Sequence, residues 1–414
     1  MPTLRLVIEW WAESQSVLRG IEMGQAQKVV VTRRQFVGLG AGVLTSALAG
    51  CAAGETTDAT SDDTPQEVTV TPTHENVRLI GRTFEQDGIT WLPQSGSAIE
   101  FAATGSRILV ELAGDENVSN APDMRPRFAI LVDGEVVLDD TLGRELRTVE
   151  VPLERPAEGA VIEVMHLSEA NQGWIDVRSI TVESDAAAPV APTAPKALSI
   201  AFIGDSITCA YGVEASGNDD PFKTTQENFM KSYAYLAAQD LDADYETACY
   251  SGYGVVSGWT PDGSRNESML LPPVYDLVVE GHDGVWDFAA HPRDVVVINL
   301  GANDFTYTGT DEARTEEFAQ SYAAFLAHVR EVNPESLIVC TLGSMLGCDA
   351  LYPTLEKAAA DYAARTGDAR LMSYLSEPID YEKEGCGTMG HPNEDSQRKI
   401  ADALVSVIRR ELGE

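Results

Sequence analysis

Positive charge is scarce in this chain: 29 lysines and arginines stand against 65 aspartates and glutamates in 414 residues, a net of −36. Such a surface repels polyanions, which argues against nucleic acid as a partner and gives an anionic membrane no basic face to hold. Solubility or a salty habitat accounts for the acidity, and charge says little about chemistry. Histidine and cysteine are sparse too, at six each. No histidine shares a ligand spacing with the cysteines, so no metal is expected. Long apolar runs are missing: Phe36 to Gly50 is too short for an ordinary spanning helix. There is no internal repeat. The length exceeds what one core holds, so two domains with extensions are expected.

What is present falls into segments. Residues 1–50 read as an export signal, with the twin-arginine pattern Thr32-Arg33-Arg34-Gln35-Phe36 and an apolar run ending in Leu48-Ala49-Gly50-Cys51. Small residues before a cysteine resemble a lipobox, making Cys51 the lipidation site of an exported bacterial lipoprotein and the only link to a membrane. Glu9, Glu13 and Glu22 fit such a signal poorly, and Met23 is a plausible true start. Residues 51–73, rich in Thr, Asp, Ser and Pro, suit a disordered tether. Five cysteines remain after Cys51, an odd number for an oxidising compartment, and Cys348 and Cys386 are the pair expected to be bridged.

Residues 74–185 carry short alternating runs, Asp133-Gly134 between two of them being a hairpin signal, and no helical period. An all-β sandwich or jelly roll is expected there. Residues 186–196, AAAPVAPTAPK, read as a Pro/Ala linker. In residues 197–414 strands and helices alternate, which predicts a three-layer α/β domain with a parallel sheet. Buried strands are expected at Leu198–Ile203, Val295–Leu300 and Leu337–Leu342, with weaker ones near Tyr245–Cys249 and Leu371–Tyr374. Phe318, Tyr322, Phe325 and Val329 recur at helical spacing, as do Ile400, Leu404, Ile408 and Leu412 behind a cap at Asp395 or Ser396.

The chemistry is expected at strand ends, where open α/β sheets place their ligands. Ser206 follows the first strand through Gly204-Asp205, and a helix starting at Ile207 would point free N–H groups at an oxyanion beside it. Gly252, or less readily Gly254, follows the second strand and offers a close backbone N–H. Asn303, after Val295–Ile298, brings an uncharged amide donor. His391, before the last helix, is the candidate general base. Asp205 and Asp304 read as capping groups. Tyr253, Trp259, Trp286, Trp91 and Trp174 are expected in the core or lining a sugar cleft, and His282 and His291 in surface loops.

These blocks, Gly204-Asp205-Ser206-Ile207, Gly252, Gly301-Ala302-Asn303-Asp304 and His391-Pro392, resemble in order those of the SGNH (GDSL-type) hydrolases. Ile203 to Gly212, Trp286-Asp287-Phe288 and Val297 to Gly301 are more narrowly similar to carbohydrate esterase family two, which also has an N-terminal jelly roll. The resemblance implies a flavodoxin-like α/β domain, Ser206 as nucleophile and His391 as base. It further implies an oxyanion hole of the Ser206 N–H, the Gly252 N–H and the Asn303 amide, no cofactor, and acetylated xylan or glucomannan as substrate. Thr388 stands where many relatives carry an aspartate, and Gly390 where several carry an aromatic residue. A Ser-His dyad whose histidine is held by a backbone carbonyl is the arrangement this family often uses. The alternatives are a lipase- or thioesterase-type hydrolase of the same fold, and a lipid-tethered carbohydrate-binding protein with a vestigial site.

Overall fold

The computed structural model describes residues 65–413 apart from 145, 344 and 346. The export signal, Cys51 and most of the tether lie outside the described residues. Two antiparallel sheets come first. One has the strand order β3 (Phe84–Gln86), β4 (Ile89–Leu92), β11 (Ile175–Ser184), β6 (Arg107–Gly114), β9 (Arg147–Glu150), with β1 (Gln66–Val70) also on β11. The other runs β12 (Val190–Pro192), β5 (Ala98–Gly105), β10 (Ala157–His166), β7 (Arg127–Val132), β8 (Glu135–Thr141), with β2 (Arg78–Ile80) also on β5. The alternation dictates the packing: Ile108, Val110 and Leu112 turn inward from β6 and share a core with Phe101, Ile130 and Val164. Asp133 and Gly134, at φ 50° and 85°, make the two-residue turn between β7 and β8 that their sequence demands.

Two segments differ from expectation. Within the presumed tether, Gln66–Val70 pairs residue by residue with Ile180–Ser184; so short an edge strand has too few apolar positions to stand out by composition. The linker carries β12, paired with Phe101–Ala103 on a sheet edge, where a proline without an N–H is tolerated.

The third sheet is wholly parallel, in the order β14 (Ala243–Cys249), β13 (Leu198–Gly204), β15 (Val295–Asn299), β16 (Leu337–Leu342), β17 (Leu371–Leu375). This is the 2-1-3-4-5 flavodoxin-like order, with its switch point beside β13. Both faces are buried. Ala201, Ile203, Val296 and Ile298 meet α4 (Glu312–Val332) and α5 (Tyr352–Thr366), while Ile200, Phe202, Val295 and Val297 meet α2 (Tyr233–Asp240) and α6 (Glu394–Leu412). α6 is capped by Asn393, which accepts the Ser396 N–H at 3.0 Å, rather than by Asp395 or Ser396. Glu394 and Asp395 occupy the first turn instead, where the helix dipole favours them.

The sandwich docks on this domain through apolar and charged contacts together. Ile80, Ala98, Leu131 and Met165 join the core that holds Phe202, Phe229 and Tyr245. Arg82, only 1% exposed, inserts between Tyr275, Trp286 and Phe288 and lies 3.4 Å from Glu246, which Arg293 also pairs. Cys348 and Cys386 are not bridged; all five described cysteines are free. Cys348 faces the apolar core, and a preceding glycine does nothing to aim its Cβ at a loop. Among the described residues no helix is long and apolar enough to cross a membrane.

Candidate active site

β13 delivers its chain directly into the site. Gly204 cannot carry a side chain, because a Cβ there would lie 2.0 Å from Thr208 Oγ1. Asp205 caps the turn α1 (Ser206–Cys209), accepting the Ile207 N–H at 3.0 Å. The expected helix is thus one turn long, and its contribution to an oxyanion is local N–H geometry rather than a macrodipole.

Ser206 Oγ lies 2.8 Å from His391 Nε2, and His391 Nδ1 lies 2.9 Å from the Thr388 carbonyl oxygen. Because that oxygen can only accept, the ring proton sits on Nδ1 and Nε2 is left to accept from Ser206. Thr388, in the place of an aspartate, turns its hydroxyl away to donate to the Asp220 carbonyl, and its N–H reaches the Gly212 carbonyl at 3.4 Å. The Met389 N–H donates to Asn218 at 3.0 Å. These bonds fix the carbonyl that orients the imidazole. Burial pushes His391 down to about 4, the Thr388 contact opposing it, so the ring is neutral at ordinary pH and able to take a proton.

The other expected residues gather around this pair. Gly252 has φ 85°, and a Cβ there would meet Met269 Cε at 2.5 Å. Its N–H and that of Ser206 have no acceptor among the described residues. Gly254, by contrast, gives its N–H to Met269 at 3.1 Å, which leaves Gly252 as the available donor. Asn303, in the first turn of α3 (Ala302–Thr308), donates through Nδ2 to the Tyr253 carbonyl at 2.9 Å and to Asp205 Oδ2 at 3.2 Å, which places it between the Gly252 loop and the Ser206 turn. Burial raises Asp205 to about 7, and the neighbouring Asp304 adds to the rise. Asp304 accepts the N–H groups of Val255, Val256 and Ser257 at 2.7 to 3.0 Å and so holds the loop beyond Gly252.

Two further aromatic residues stand at the site. Tyr211 lies 4.8 Å from the His391 ring and stacks on Phe222 at 3.9 Å, beside the base rather than before it in sequence. Nothing in the sequence near Phe222 signals this, since a loop fold brings it there. Of the other aromatic candidates, Trp259 is half-buried, its Cβ 3.9 Å from where a Gly252 side chain would begin, and the rest are packed. Tyr253 and Trp286 are buried, Trp91 and Trp174 meet edge to face beside Phe84, and His282 stacks on Phe84 at 4.1 Å. His291 lies exposed against Trp286.

The GDSL-like lipase/acylhydrolase family matches residues 202–399. The cellulase/esterase CelE of Acetivibrio thermocellus is 29% identical over 324 residues, 77% of this chain and 37% of that protein, so the chain spans little more than a third of its length. An acetylxylan esterase/glucomannan deacetylase of Cellvibrio japonicus is 23% identical over 346 residues, 83% of this chain and 90% of the relative. A solved family two carbohydrate esterase from Clostridium thermocellum, in complex with cellohexaose, superposes with a TM-score of 0.72 at 27% identity, covering 81% of this chain and 99% of that one.

Proposed function

We propose that this chain, a GDSL-type (SGNH) hydrolase over residues 202–399 and a carboxylic ester hydrolase akin to the family two carbohydrate esterases, removes O-acetyl groups from a polysaccharide of the xylan or glucomannan kind. The observation that carries this reading is the relay Ser206–His391–Thr388 carbonyl at 2.8 and 2.9 Å. His391 takes the Ser206 proton as Oγ attacks the acetyl carbonyl, then returns it to the departing sugar alcohol. Water repeats the sequence on the acetyl-enzyme and releases acetate. The tetrahedral oxyanion rests on the N–H groups of Ser206 and Gly252 and on Asn303, whose longer contact to Asp205 gives way to the stronger acceptor.

The substrate class draws support from the relatives, an acetylxylan esterase/glucomannan deacetylase among them, and from the half-buried Phe222, whose ring stacks on Tyr211 beside the base and is of the kind sugar rings stack on. Export and lipid anchoring at Cys51 belong to the same proposal, because a polymer substrate lies outside the cell. The test is acetate release from 4-nitrophenyl acetate and from acetylated xylan or glucomannan, comparing the chain with its Ser206→Ala variant. The substitution is expected to cost at least about 10⁴-fold in kcat with no change in folding. Equal rates in the two would end the esterase reading and leave the carbohydrate-binding alternative.

A further inference from the structure

Two buried carboxyls beside the site have no part in the chemistry above. Glu169 and Glu227 are both fully buried. Arg127 gives its ion pairs to Asp139 and Glu214 and touches Glu227 only at the backbone carbonyl, 3.3 Å away. Burial pushes both carboxyls up, and the neighbouring Glu169 adds to the rise of Glu227. Burying two acids side by side is a standing cost to stability, and clustering of such groups at a site points to a use there.

Glu169 lies in the β-sandwich half, three residues beyond β10. One of its oxygens, Oε2, accepts the Ser251 N–H at 2.6 Å and the Cys209 S–H at 3.6 Å. Ser251 immediately precedes Gly252, and Cys209 closes the turn that Ser206 opens. A single oxygen from one domain thus ties together the two loops of the other that carry the nucleophile and the Gly252 donor. Its own position is fixed twice: Gln172 donates to Oε1 at 3.3 Å, and Glu227 accepts the Glu169 backbone N–H at 3.1 Å.

We propose that Glu169 is a positioning residue through which the β-sandwich sets the distance between Ser206 and the Gly252 N–H, and with it the shape of the oxyanion hole. The inference rests on the esterase reading above. A hole loosened by a fraction of an ångström binds the resting ester as before but the oxyanion less well, so the loss falls on kcat and spares KM. Gln at this position keeps an oxygen for the Ser251 N–H. Asp withdraws it by one methylene, and Ala removes it.

The experiment measures kcat and KM for 4-nitrophenyl acetate, with thermal melting, in the full chain and in Glu169→Gln, Glu169→Ala and Glu169→Asp. Expected are a Gln variant within about threefold of the parent, an Ala variant lowered about 10- to 100-fold in kcat at nearly constant KM, and an Asp variant between them. Wild-type kcat in Glu169→Ala, a loss expressed in KM, or a Gln variant as poor as Ala would overturn the inference while the esterase reading stood. If Glu169→Ala does not fold, Glu169→Asp decides: kcat about tenfold down at constant KM supports the inference, and unchanged kcat overturns it. A parent chain without Ser206-dependent activity would remove the esterase reading and this inference with it.

Discussion

In the parallel-sheet half, buried polar groups hold that half's own loops: Asp205 caps the Ser206 turn, Asp304 gathers three N–H groups beyond Gly252, and Asn303 bridges the two. In the β-sandwich half they reach outward. Arg82 pairs with Glu246, Arg127 with Glu214, and Glu169 accepts from Ser251. Ser206, His391 and Asn303 all stand on the first half, and part of what braces their loops comes from the second. The difference teaches that rate and stability are separable here by choosing which half to alter, with Glu169 as the crossing point.

The largest expected separation comes from Asn303→Ala. Removing this amide should lower kcat about 10²- to 10³-fold while the Tyr253 and Asp205 acceptors it leaves unpaired cost only about 1 kcal/mol of stability, as read by steady-state kinetics and calorimetry. Its counterpart in the sandwich half is Arg82→Met, which leaves Glu246 buried with Arg293 alone. Denaturant unfolding should show a loss of about 3 kcal/mol, while kcat measured well below the melting temperature stays unchanged. Equal damage to rate and stability in both variants would erase the distinction between the halves.

The smallest effect is in pH. His391, lowered to about 4 by burial, must be neutral to act, so kcat/KM should stay level from neutral pH down to about 5 and fall only as pH drops through about 4. Stability behaves in the opposite sense. Asp205 and Glu163, raised by burial to about 7 and about 8, contribute stability that is full below the ordinary carboxylate range and is lost as pH rises through those values. Melting temperature should therefore fall by a few degrees between about pH 6.5 and 8 while activity does not. A melting temperature that rises over that interval would contradict the assignment of these carboxyls.

Much of this was legible in the residues, and the reasons are local. Leu337–Leu342 reads as a buried strand because nothing polar but Thr341 interrupts it, and it is one. Asp133-Gly134 fixes its turn because both residues tolerate positive φ. Ser206 and His391 could be named because each sits at an abrupt junction between structure and loop, and they meet at 2.8 Å. What stayed hidden depends on partners distant in sequence. β1 and β12 are strands only because β11 and β5 offer them an edge. Asn393 wins the cap over Asp395 because the helix begins at Glu394, where the extended Asn393 can turn its side-chain oxygen to the Ser396 N–H. Phe222 and Glu169 reach the site from a loop and from another domain, and neither lies in a pattern that spacing could reveal.

The central claim is that Ser206 carries the acetyl group between alcohol and water. The most direct measurement mixes the full chain with 4-nitrophenyl acetate, quenches in acid within the first turnover, and maps the modified peptide by mass spectrometry. The account predicts one acetyl group on the peptide containing Ser206, absent in Ser206→Ala. Rapid turnover with that peptide unmodified, or acetyl found on another side chain, would contradict it.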